Sequence, residues 1–216
     1  MFNFFKKNLN PNSKQESDFA WQMKPERESM ADVVFEKDFV LLLISFLDGA
    51  KGAGEVLNDF FEERGQPRAV PVDSESIMKQ TKLGNRLSLV LNVLLPAKFT
   101  SAMAVDFSSH AIQQSSFPRK DSKKASKVHE ALLKFNKQET ASFEDEKKLM
   151  ESANKFLLEN WKSDGSAEAS AVWSVWATVM AKPGNAATAA QAVSKDELGW
   201  QVEYLKNEVL QRVKDE

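Results

Sequence analysis

Residues 167–181 read Ala167-Glu168-Ala169-Ser170-Ala171-Val172-Trp173-Ser174-Val175-Trp176-Ala177-Thr178-Val179-Met180-Ala181. Glu168 is the only charge in the stretch. Ser166 precedes it as a helix cap, and Pro183-Gly184 follows as a stop signal. A helix apolar all round is buried on all sides, normally at the centre of other helices. Its alanines and serines let neighbouring helices approach closely. The stretch therefore predicts a helical array assembled around it.

The segments on either side agree. Ser194-Lys195-Asp196-Glu197 reads as a capping box opening a final helix with Leu198, Val202, Leu205, Val209 and Val213 on one stripe. Asn185 to Val193 is alanine-rich, a helix or a soft linker. Upstream, Ser142 to Asp145 resembles a second capping box, and its helix continues to Trp161. Asp121 to Gln138 carries Ala125, Val128, Ala131, Leu132 and Phe135 at helical spacing. Phe99, Met103 and Phe107, spaced by four, mark a helix over 97–114. Asp73 or Ser74 caps a helix predicted to run to Leu95, where Pro96 ends or kinks it. Glu55 to Arg64 is a shorter helix, and Pro25 opens another to Asp48, where Leu41, Leu42 and Leu43 favour helix over a competing buried strand of nine residues. The expectation is an all-α array or bundle of about seven to eight helices. Residues 1–24 form a flexible tail, 25–216 form one helical domain, and Pro118 is a point where that domain could divide.

Composition bounds the function. The chain has 216 residues and a net charge of −2, from 29 basic and 31 acidic side chains. Such a balance gives no global pull toward nucleic acid or anionic lipid. No cysteine is present, which excludes disulfides, thiolate metal sites and cysteine nucleophiles. The absence fits a reducing, cytoplasmic setting. In Met1-Phe2-Asn3-Phe4-Phe5-Lys6-Lys7 the charges follow the apolar residues, which is not the order of a secretory leader. The longest apolar run, Phe39 to Leu47, is nine residues broken only by Ser45, and a membrane helix needs about 20.

A search for chemistry returns little. Of the two histidines, His129 begins a zinc-protease-like pattern but has Leu133 where the second imidazole must stand. Asp106 lies one helical turn before His110 and could pair with it. Nucleophile elbows and phosphate-cradling glycine loops are absent from the sequence. No residue is assigned a catalytic role, and no cofactor or metal is called for.

Binding signals are stronger. Tryptophan and methionine are enriched in interface cores. Trp161, Trp173, Trp176 and Trp200 all lie after residue 160, which makes Trp173, Trp176, Met180 and Trp200 candidate partner contacts. Phe2, Phe4 and Phe5 with Lys6 and Lys7 could enter a partner groove or touch a membrane surface. Lys120, Lys123, Lys124, Lys127 and Lys134 form a basic patch within 117–138, where seven basic residues meet two acidic ones. Segment 139–159, with six acids against three lysines, could neutralise that patch internally. Its face lacks the interleaved aromatics of single-strand binders, which argues against nucleic acid.

The expectation is a non-catalytic helical protein that binds another protein: an adaptor, a chaperone-like subunit or an assembly component. Bacterial secretion adaptors and toxin-neutralising immunity proteins fit this description. Two alternatives stand beside it. One is an enzyme or small-ligand binder with a tryptophan-lined helical pocket, which buried carboxylates or His110 in such a pocket would favour. The other is a nucleic-acid or membrane-surface binder using the 119–137 lysines.

Overall fold

The computed structural model describes residues 33–115, 123, 143–160, 164–180 and 182–214. These form nine α-helices and one π-helical segment, an all-α array among the described residues.

Chain entry is extended. Phe35 N–H donates to Arg212 O at 2.8 Å, and Lys214 N–H donates to Phe35 O at 3.0 Å. Helix α1 (Lys37–Leu47) therefore opens later than Pro25, within the described residues. The β-branched and aromatic run Val33-Val34-Phe35 takes a ladder partner from the chain's other end instead. Phe39, Val40, Leu43, Phe46 and Leu47 make the buried stripe of α1. Gly49 and Gly52, at φ 77° and 80°, turn the chain into α2 (Ala53–Glu63). On α2, buried Asn58 braces the loop between Pro67 and Pro71. Its Nδ2 donates to Val70 O at 2.8 Å, and its Oδ1 accepts from Val70 N–H at 2.9 Å.

The helix expected from Asp73 to Leu95 is broken. Asp73 does cap it, accepting from Ser76 N–H at 2.9 Å. But α3 (Ser74–Gln80) stops, and α4 (Leu83–Leu89) begins after Lys82. Side chains take the carbonyls that the break releases. Arg86 donates to Gln80 O at 2.7 Å and Thr81 O at 3.0 Å, and Asn85 to Lys79 O at 2.7 Å. A π-helical segment, Val90–Leu94, follows; Leu95 N–H reaches Val90 O at 3.2 Å. Its wider turn keeps Val90, Leu91 and Leu94 in the core and sends Asn92 to another helix.

Pro96 precedes α5 (Ala97–Gln114), whose Phe99, Met103 and Phe107 are fully buried as their spacing predicts. Helix α6 (Phe143–Asn160) runs antiparallel to α7 (Ala167–Val179): Leu157 packs at Val172, while Asn154, a turn earlier, reaches Trp176, a turn later. Ser166 caps α7 as expected, accepting from Ala169 N–H at 3.3 Å. Pro183 does not merely stop that helix. It occupies the first turn of α8 (Pro183–Gln191), so the alanine-rich stretch is helix rather than linker. Ser194 does not cap the last helix, α9 (Glu197–Leu210); its N-cap is Asp196, which makes no side-chain cap bond.

Helix α7 is the central helix that its composition predicts. Two alanine layers let it meet α5 and α8 closely: Ala104, Ala177 and Ala186 in one, Ala111, Ala171 and Ala190 in the other. Its buried hydroxyls are satisfied by the same neighbours, with Ser174 donating to Ala186 O at 2.8 Å and Thr178 Oγ1 3.0 Å from Ala104 O.

Candidate functional sites

Two clusters hold the aromatic and titratable residues, one on each side of α5. Ile112 of α5 packs on the Leu157–Val172 cluster that Trp173 and Trp176 also cover, whereas His110 stacks on Trp200 of α9. Two residues along a helix differ by about 200° in direction. The candidate tryptophans therefore do not form one surface, and Trp200 is set apart.

The first cluster lies at the α6–α7 edge. Most of α7 is buried, but Ser170, Trp173, Trp176 and Met180 form its half-buried stripe. The two indoles are 4.8 Å apart and tilted by 35°. Trp176 Nε1 donates to Asn154 Oδ1 at 2.7 Å, which fixes the ring's polar edge against α6. Lys182 Nζ lies 5.8 Å from the Trp176 ring centroid, within cation–π range. Leu158, one turn beyond Asn154 on α6, is 72% exposed. Leu158 thus shares the α6 face from which Asn154 reaches Trp176.

The second cluster is a polar seam between α5 and α9. The expected Asp106–His110 pair does not form, because each residue has a partner on α9. His110 Nδ1 lies 2.7 Å from Glu197 Oε2, and Tyr204 donates to Asp106 Oδ2 at 2.9 Å. Glu197 is wholly buried. Its other oxygen accepts from Gln201 Nε2 at 3.2 Å; Gln201 also donates to Ala187 O at 3.1 Å and accepts from Gln191 at 3.0 Å. The imidazole lies flat on Trp200, with centroids 3.7 Å apart and planes 8° apart. Trp200 in turn stacks on Tyr204 at 5.0 Å. His110 Nε2 points to Gln114 Nε2, 3.4 Å away. Burial pushes the Asp106 carboxyl above the usual carboxylate range, while the Tyr204 hydrogen bond pulls the other way. Burial and then Asp106 push the Tyr204 hydroxyl up.

Chemically, a buried carboxylate pins one ring nitrogen of His110, an arrangement also found where imidazoles act as bases or ligands. Here the network ties three helices, α5, α8 and α9, through side chains. Among the described residues no group of three or more metal-ligating side chains is placed to hold an ion, and no helix is long and apolar enough to cross a membrane. Reading residues 194–197 as a capping box hid Glu197. The signal was present all the same: Glu197, Gln201, Tyr204 and Glu208 recur at helical spacing as a polar stripe beside the apolar one.

Phe2, Phe4, Phe5 and Trp161 lie outside the described residues, as do Lys120, Lys124, Lys127 and Lys134. Lys123 is exposed. On α6, Glu144, Asp145, Glu151 and Glu159 are exposed, with Lys155 4.0 Å from Glu159. The expected neutralisation of the basic patch by these acids lies outside the described residues.

Comparison with protein-family models, curated proteins and solved structures finds no match.

Proposed function

We propose that this chain is a non-catalytic helical interaction protein of the cytoplasm, an adaptor, chaperone-like or assembly subunit, which binds another protein through its α6–α7 edge. One observation carries the reading: the half-buried stripe of an otherwise buried helix bears Trp173, Trp176 and, at its C-cap, Met180, and the α6 face that bonds Trp176 bears Leu158, 72% exposed. Aromatic side chains and methionine are what interface cores are enriched in. Lys182 adds a cation at the rim.

The test is affinity capture from extracts of the cells that make the protein, read by mass spectrometry. Intact chain is compared with Leu158→Asp and with Trp173→Ala/Trp176→Ala, each first shown to be folded by circular dichroism. A stoichiometric partner that both folded variants lose supports the reading. A partner that both retain, or no partner at all, overturns it.

A second reading rests on the α5–α9 seam, where His110 meets the buried Glu197 beside Trp200. Two of the features that such a site would use, His110 and a buried carboxylate, meet there beside one of the candidate tryptophans. Small-molecule screening by thermal shift, repeated on His110→Gln, tests it: a compound that stabilises the intact chain and not the variant selects this reading.

A further inference from the structure

We propose that Asp106 and Tyr204 form an acid-tightened clasp between α5 and α9, in which proton uptake by Asp106 strengthens the docking of α9. Asp106 sits half-buried on α5, and the hydrogen bond it receives comes from a neutral group, the Tyr204 hydroxyl, at 2.9 Å. The charged groups facing it are few. From α9 comes Glu208, of like charge. From just beyond α9 comes Arg212, whose Nη1 is committed to Glu208 Oε2 at 2.6 Å. On α5 itself His110, one turn on, is engaged with Glu197.

The seam thus brings three carboxylates, Asp106, Glu197 and Glu208, to one helix pair, with Arg212 as its guanidinium. Burying a carboxylate beside a like charge, with no cation of its own, favours the protonated form. That agrees with the upward displacement of Asp106, caused first by burial. Protonation does not break the clasp. A neutral carboxyl still accepts the Tyr204 hydrogen through its carbonyl oxygen and gains a donor of its own.

The sign follows from linkage. The folded group holds its proton at a pH where an undocked aspartate, near its ordinary 3.8, has released it. Docking therefore gains stability as pH falls through the folded value, with the whole gain present below 3.8. A carboxylate paired with a cation does the reverse.

The experiment is hydrogen exchange on the full chain, following the α9 amides at about pH 7 and about pH 4.5, corrected for the pH dependence of chemical exchange. Wild type is compared with Asp106→Asn, so that the pH response of every other group is common to both. Relative to the variant, wild-type α9 is expected to open at least about threefold less often in acid than at neutral pH. At neutral pH the variant should already show the acid level of protection. A second variant, Tyr204→Phe, removes the donor that favours the charged form and should enlarge the acid gain. Parallel pH responses in wild type and Asp106→Asn would overturn the clasp. So would an Asp106→Asn chain that fails to fold, since a neutral group at that position is what the clasp favours.

Discussion

Glu197 Oε2 and His110 Nδ1 lie 2.7 Å apart across 87 residues of chain, and the carboxylate is fully buried. A charge with that burial is tolerated only because His110 and Gln201 occupy its two oxygens. Glu197→Ala leaves the imidazole edge and the Gln201 amide unanswered. It should lower unfolding stability by about 3 kcal/mol. Glu197→Gln keeps an acceptor for His110 and should cost less than half as much. Urea denaturation followed by circular dichroism checks the order. Equal losses for the two variants would mean that packing, not the polar pair, holds this position.

Asn92 and Gly184 join the π segment to α8. Asn92 Oδ1 accepts from Gly184 N–H at 3.1 Å, one of the free donors at that helix's first turn. A Cβ added at Gly184 would lie 2.2 Å from Asn92 Nδ2. Gly184→Ala should therefore destabilise by about 2 kcal/mol, although alanine ordinarily favours a helix. Asn92→Ala alone loses the cap bond, worth about 1 kcal/mol. The double variant should be more stable than the two losses predict by addition, because the clash has gone. Strict additivity in a thermal unfolding cycle would count against the contact.

Much of the fold is legible in the sequence because the helices are punctuated. Asp73, Pro96 and Ser166 each stand where a helix begins, and Phe99, Met103 and Phe107 are buried as their spacing requires. The failures share a physical cause: side-chain hydrogen bonds outcompeted the local spacing signal. The pattern over 74–95 is continuous, and the break at Thr81–Lys82 survives because Arg86 reaches back to the freed carbonyls. Glu197 has capping-box spacing, but its carboxylate goes to His110. Asp106 and His110 are correctly spaced to pair, yet Tyr204 and Glu197 on α9 take them instead. Of the candidate site, helical spacing brought Trp173, Trp176 and Met180 onto one stripe. It could not show that Trp200 lies across α5, since that depends on which face of α5 each helix meets.

Tyr204 makes a prediction at alkaline pH. Burial and the adjacent Asp106 push its hydroxyl above the ordinary phenol value of 10.0. In the unfolded chain it ionises near that ordinary value, while in the folded chain it stays neutral. Its contribution is therefore fully present below pH 10.0 and is lost as pH rises beyond it. Tyr204→Phe should be less stable than wild type at neutral pH by about 1 kcal/mol, through loss of the hydrogen bond to Asp106. The gap should narrow steadily above pH 10.0. Urea midpoints over that range decide the matter; a gap constant with pH would mean that the hydroxyl titrates normally in the folded chain.

Arg86 ties three helix-end carbonyls together. Its guanidinium donates to Leu47 O at 3.0 Å, Gln80 O at 2.7 Å and Thr81 O at 3.0 Å, joining the ends of α1 and α3. These carbonyls belong to the last turns of helices or to the residue just beyond, where no further helical N–H reaches them. Arg86→Ala should cost about 2 kcal/mol, and Arg86→Lys most of that, since an ammonium cannot span the same acceptors. Gly49 sits against the same guanidinium: a Cβ there would lie 3.0 Å from Arg86 Nη2, on a backbone with φ +77°. Gly49→Ala should therefore destabilise in both backgrounds through its backbone strain. Part of its cost should disappear in Arg86→Ala, where the guanidinium is gone. A Gly49→Ala penalty unchanged by Arg86→Ala would assign the whole effect to the backbone and none to the guanidinium.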